Sequence, residues 1–230
     1  MMRIKGLQKL TLLDFPGKIG ATVFLGGCNF RCPFCHNASL VVPKEEREDI
    51  SEEEFFAFLD KRRGMLEGVC VSGGEPTLYP ELPSFIKEIR ARGYAVKLDT
   101  NGYRPDVLSS LIDGGLVDYV AMDIKNSKEK YSLTAGLPSL DISKIEKSVE
   151  ILKEGRVPFE FRTTVVRELH TEEDICEIGR WLGEKVSLFL QPFSDSGDIL
   201  ADGMSGYSAA EMDELLKKAR DFVPLAQIRG

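Results

Sequence analysis

Short apolar runs alternate with helix-patterned stretches about six times along the chain, and no other feature constrains the fold as much. A strand, a helical crossover and a second strand leave the two strands parallel, so the repeat builds a parallel sheet with helices packed on it. The apolar runs lie at residues 19–25, 68–71, 94–98, 117–122, 158–166 and 186–190, with a last candidate strand at 224–228. Ser51-Glu52-Glu53-Glu54 opens a helix with a capping-box pattern, and Phe55, Phe56, Phe58 and Leu59 supply its apolar face. Further helices are predicted over 82–92, 105–113, 143–154, 172–182 and 209–222. Residues 3–13 partly alternate apolar and polar and run into the turn-like Asp14-Phe15-Pro16-Gly17, which reads as an edge strand or hairpin. Six units fall short of the eight of a closed barrel. The expected fold is therefore α/β, an open partial (β/α)6 barrel with an N-terminal edge strand or hairpin. Function in such folds gathers at the carboxyl ends of the strands.

A chain of 230 residues suits one domain, here taken as 1–230, and 43% hydrophobic with 29% charged residues describes a globular protein. The net charge of -7 argues against a sequence-independent grip on nucleic acid. No apolar run approaches a membrane span, and Met1-Met2-Arg3-Ile4-Lys5 lacks the apolar core of a signal peptide. The expectation is a cytoplasmic protein with reduced thiols and no membrane partner.

Three of the five cysteines, Cys28, Cys32 and Cys35, fall within eight positions, after an apolar run and Gly26-Gly27. A disulfide framework needs an even set and an oxidising compartment. Three thiolates with His36 would make a Cys3His zinc tetrahedron, although structural zinc sites usually use two separated ligand pairs. Three cysteines with an open fourth position suit an iron–sulfur cluster. Cys70, inside an apolar run, and Cys176, on a predicted helix, read as buried packing. Ser72-Gly73-Gly74-Glu75-Pro76 follows a strand and suggests a backbone that a ligand approaches closely, because glycine lacks the Cβ that would block it. Asp99 and Asp123 end adjacent strands and would repel unless a cation sits near them. Arg162 interrupts an apolar strand, and a buried guanidinium requires an anionic partner.

The spacing C-x3-C-x-aromatic-C resembles the signature of the radical S-adenosylmethionine (SAM) enzymes. The resemblance implies that Cys28, Cys32 and Cys35 ligate three irons of a 4Fe-4S cluster while SAM chelates the fourth. It further implies an adenine contact for Phe34, a polar role near the adenosyl group for His36, and a grip on SAM's ammonium by Gly73, Gly74 and Glu75. Asp99-Thr100-Asn101-Gly102 and Asp123-Ile124-Lys125 are similar to motifs of the glycyl radical enzyme activating enzymes. In these the two segments bracket SAM and a monovalent cation. That similarity places Lys125 on SAM's carboxylate, Asp123 by the cation or ribose, and Arg162 on SAM's carboxylate or a substrate group. Where several activases carry a histidine after the sixth strand, this chain has Gln191-Pro192-Phe193-Ser194, so Gln191 or Ser194 would take over the ribose contact.

Residues 12–18, the Cys35-His36-Asn37 ending and the short length look most like the activating proteins of anaerobic ribonucleoside-triphosphate reductases. The resemblance implies an electron from flavodoxin or ferredoxin, reductive cleavage of SAM, and hydrogen abstraction from a glycine of a partner protein. Two alternatives stand beside it. One is a small-molecule radical SAM enzyme such as 7-carboxy-7-deazaguanine synthase, and the other is a non-catalytic zinc-binding module.

Overall fold

The computed structural model describes residues 2–42, 48–195 and 197–229, and a single eight-stranded sheet runs through them in chain order. The elements are β1 (Ile4–Thr11), β2 (Gly20–Leu25), α1 (Ala38–Val41), α2 (Glu52–Lys61), β3 (Gly68–Gly73), α3 (Leu82–Ala91), β4 (Ala95–Thr100) and α4 (Pro105–Asp113). After them come β5 (Tyr119–Asp123), α5 (Tyr131–Thr134), α6 (Ile142–Lys153), β6 (Phe159–Val165), α7 (Glu172–Leu182), β7 (Leu188–Pro192), α8 (Ala209–Arg220) and β8 (Gln227–Ile228). β1 pairs antiparallel with β2, and every later pair is parallel. The outermost strands β1 and β8 each have one neighbour, so the sheet stays open. The six expected strands are β2 to β7; the N-terminal hairpin and a two-residue β8 extend them at either edge.

The parallel strands are short because each crosses a core covered on both faces by helices and loops, and Val23, Val69, Val71, Val96, Leu98, Val120 and Met122 are fully buried. α3 buries Leu82, Phe85, Ile86 and Ile89, the spacing that lines one helical face. Ser51, Thr171 and Ser208 each close a capping box with the acid three residues on, which fixes the starts of α2, α7 and α8.

Both ends of the sheet are tied down at the amino end of the barrel. Lys18 donates its N–H to the Phe15 carbonyl at 3.1 Å, and Gly17 takes φ 73° after Pro16, as a type II turn requires. The turn folds Phe15 under the first residues of the strands. A Cβ on Gly68 would lie 2.8 Å from its ring. At the other edge Arg229 makes a two-pronged ion pair with the fully buried Glu160 of β6, at 2.7 and 2.9 Å, which ties the end of β8 to β6 across β7.

Candidate active site

A cavity of about 260 Å³ opens at the carboxyl ends of the parallel strands. Cys28, Cys32, Phe34, Cys35, His36, Gly73, Gly74, Asp99, Asp123, Lys125 and Arg162 all line it, so the fold gathers residues drawn from five strand ends. Glu75 and Ile124 do not line it. Ile124 is fully buried in the core, and only its backbone bridges to β6, through an N–H donated to the Arg162 carbonyl at 2.8 Å.

The cysteine loop is fixed by backbone bonds rather than by its own secondary structure. Gly26 N–H donates to Arg3 O, Gly27 N–H to Leu40 O, Arg31 N–H to Ala135 O and Cys35 N–H to Cys32 O, all at 2.7–3.1 Å. Burial pushes the Cys28 thiol up to about 12 and the Cys32 thiol up to about 11, and raises Cys35 as well. The Lys125 ammonium acts in the opposite direction on all three, favouring thiolates. Deprotonation is therefore costly until a positive centre arrives to bind the sulfurs.

The Gly73-Gly74 pair serves the cysteine loop. A Cβ at Gly73, whose φ is 124°, would overlap the Leu25 backbone, and one at Gly74 would overlap the Gly27 carbonyl. Gly74 and Glu75 then donate their N–H groups to Leu25 O and Gly27 O, both at 2.8 Å. Gly74→Ala is expected to push Gly27 outward and to destabilise the fold by about 1–3 kcal/mol, the cost of overpacking. Urea unfolding together with iron content after reconstitution measures this, with cluster loading falling more than stability does.

Glu75 lies below that pair and is fully buried. Its carboxylate accepts from Thr77 N–H at 3.0 Å, Thr77 Oγ1 at 2.5 Å, Thr100 Oγ1 at 2.8 Å and Asn101 N–H at 2.7 Å. Three of these bonds fall on Oε1 and one, from Asn101, on Oε2. Burial nonetheless keeps its pKa above the ordinary carboxyl value. The structure thus places Glu75 as a fastening between the ends of β3 and β4.

The two strand-end aspartates are bridged by a cation from the chain itself. Arg162 reaches Asp123 Oδ1 through Nε at 2.9 Å and Nη2 at 2.8 Å, and Asp99 Oδ2 through Nη1 at 3.2 Å. Lys125 pairs with Asp123 Oδ2 at 3.0 Å, and Lys97 pairs with Asp99 Oδ1. Against the burial that would raise them, Arg162 and then the neighbouring lysine hold both carboxyls below their usual range. Three cations, Lys97, Lys125 and Arg162, thus surround the two carboxylates, and of these Lys125 and Arg162 line the cavity.

His36 stacks on Phe193 with ring centroids 5.1 Å apart, and its Nε2 lies 2.9 Å from the Ser194 carbonyl. Of the two residues expected at the missing histidine position, Gln191 lines the cavity while Ser194 meets His36 through its backbone. Three further residues support the site. Asn101 donates Nδ2 to Asn29 Oδ1 at 2.8 Å and lies 3.8 Å from Cys28 Sγ. The buried His170 holds the Lys125 carbonyl through Nε2 at 2.8 Å and presents its ring to Phe34. The third is Lys97. The Thr-Asn-Gly turn was a usable signal for Asn101; His170 and Lys97 carry none in one dimension.

Comparison with known proteins accords with this geometry. The profile of the Radical SAM superfamily matches residues 22–182, more than half of the chain. The chain belongs to the radical SAM superfamily. A protein of Methanocaldococcus jannaschii named "Putative glycyl-radical enzyme activating enzyme" is 33% identical over 235 residues, spanning 98% of this chain and 95% of that protein. The pyruvate formate-lyase-activating enzyme of Clostridium pasteurianum is 31% identical over 158 residues, 65% of this chain and 64% of that one. Among solved structures, Streptococcus suis SuiB bound to precursor peptide SuiA superposes with a TM-score of 0.67 at 14% identity. The match covers 89% of this radical SAM chain and 47% of SuiB, a likeness of fold.

Membership of the radical SAM superfamily implies a 4Fe-4S cluster and SAM, and the residues present fit both. Three thiols line one cavity, and Asn29 Nδ2 is buried beside Cys28 without an acceptor among the described residues. A sulfur-rich group arriving there would supply one. Among the described residues no three His, Cys, Asp or Glu side chains are grouped to hold a single metal ion. A cluster asks for a wider spread, since each thiolate meets a different iron.

Proposed function

We propose that this radical SAM enzyme activates a glycyl radical enzyme, with an anaerobic ribonucleoside-triphosphate reductase as partner. It would act as one domain over residues 1–230, in the cytoplasm, with flavodoxin or ferredoxin as electron donor. One observation carries the reading: three thiols face Lys125 and Arg162, each paired with a strand-end aspartate, across a single cavity. The near end-to-end match to the M. jannaschii protein supports the choice of an activase.

Cys28, Cys32 and Cys35 would hold the cluster, and Lys125 with Arg162 would hold the ligand's carboxylate. When bound, cluster and SAM supply a carbon-centred radical strong enough to take a hydrogen atom from a glycine. The chain's own work is to bind, orient and exclude water. Phe34, buried against His170, walls the cavity with an apolar ring. Asp99 and Asp123 fix the direction of Arg162, and the His170 bond to the Lys125 carbonyl fixes the backbone from which Lys125 projects. No side chain has to act as a general base.

The test combines anaerobically reconstituted protein, reductant, SAM and a candidate reductase. Methionine and 5'-deoxyadenosine should form, with a doublet electron paramagnetic resonance signal on the partner. SAM cleavage without that doublet, accompanied by turnover of 6-carboxytetrahydropterin, would replace this reading with the small-molecule one.

A further inference from the structure

We propose that Lys97 is a positioning residue: from beneath the cavity it holds Asp99, and through Asp99 the Arg162 guanidinium, in the orientation that meets a ligand carboxylate. The inference rests on SAM binding in this cavity, and it assigns a role to a side chain that touches neither ligand nor cluster.

Lys97 is 1% exposed, and fully buried lysines are rare unless paired. It stands two residues before Asp99 on β4, so both side chains leave the same face of the strand. Its ammonium pairs with Asp99 Oδ1 and lies 3.8 Å from Cys70 Sγ. The other oxygen of Asp99 accepts from Ser72 Oγ at 3.1 Å and from Arg162 at 3.2 Å. Asp99 is thus held from below by Lys97 and from the side by Arg162, and Arg162 divides its donors between Asp99 and Asp123. Remove the lysine, and Asp99 is left buried with one cationic partner where it had two. It must then draw the guanidinium toward itself or take up a proton, and either change alters what Arg162 offers the cavity.

The groups facing Asp99 are Lys97 on its own strand, Cys70 and Ser72 on β3, Asp123 on β5 and Arg162 on β6, while Lys125, just beyond β5, faces Asp123. Asp14, bonded to Thr22 of β2, acts on Cys70. With Lys97 present, Asp99 stays ionised across the ordinary pH range. Without it the carboxyl shifts upward, so binding that depends on the charged form persists above the raised pKa and fades as pH falls through it.

The experiment measures SAM binding to cluster-loaded protein by calorimetry across about pH 5 to 8, with the cluster's absorbance as a loading control. Wild-type affinity should stay level at the acid end, whereas Lys97→Met should bind at least about 10-fold more weakly and lose further affinity as pH falls. Adding Asp99→Asn should abolish that pH dependence and leave the double variant no weaker than Asp99→Asn alone. The double variant replaces a buried ion pair by neutral groups, so it carries the test where the single one does not fold. Wild-type affinity and a level profile in Lys97→Met would overturn the inference, as would a double variant weaker than Asp99→Asn. Failure of the wild type itself to bind SAM would instead sink the reading of the cavity.

Discussion

Cys32→Ala is expected to lose the cluster and with it all SAM cleavage, while Cys176→Ala keeps both. The two cysteines are similarly buried, at 7% and 9% exposure, so burial alone cannot separate them. What differs is placement. Cys32 lines the cavity, its carbonyl accepts the Cys35 N–H, and the Lys125 charge acts on its sulfur. Cys176 packs on α7 among side chains that reach toward α8. Truncating it removes one sulfur from a helix interface, for about 1 kcal/mol. Iron content, visible absorbance and 5'-deoxyadenosine yield of the two variants decide the matter. Equal loss in both would overturn the ligand assignment.

Arg162→Met should follow in size of effect. Removing the guanidinium leaves Asp99 and Asp123 facing each other, each with only a lysine for compensation. Loss of one partner from a buried ionic group typically costs about 3–5 kcal/mol, and the remaining lysines put this variant at the lower end. The sign of its pH dependence follows from the shifts. Both carboxyls sit below their ordinary value in the folded protein, so they stabilise it above the unfolded pKa and cease to do so as pH falls through the folded one. Without Arg162 the folded values rise, and acid unfolding, followed by circular dichroism, should begin at a higher pH than in the wild type. SAM binding should weaken by on the order of 2 kcal/mol or more, since one of the two cations facing the ligand is gone. A variant with unchanged acid midpoint and unchanged affinity would show that the guanidinium holds neither carboxylate.

The elements readable in the sequence were those whose information is local. α4 and α7 occupy the residues that their apolar spacing and N-terminal signals predicted, and α2 begins at its Ser51 capping box. The four-residue helices α1 and α5 were missed because they are too short to display a period. At the site, the cysteine spacing and the strand-end acids are patterns along the chain. Lys97 meeting Asp99 and Cys70, Asn101 meeting Cys28, and His170 meeting Lys125 are set by how strands and loops lie beside one another. The glycine pair was legible as a place of close approach, but the partner pressing on it is the Leu25–Gly27 backbone. Arg162, already singled out as a strand guanidinium in need of anionic partners, has them in Asp99 and Asp123.

The four-way fastening of Glu75 divides the rim of the cavity mechanically. It welds the turn after β3 to the turn after β4 by bonds shielded from water, so these two corners behave as one rigid jaw. On the opposite side the cysteine loop meets the segment after β7 through exposed polar contacts, Ser39 with Asp198 and His36 with Ser194. Such contacts open at little cost. Breathing that admits a bulky guest would hinge on that second side, while the Cys28 end of the loop stays tied to the jaw through the Gly74 and Glu75 N–H bonds to Leu25 and Gly27.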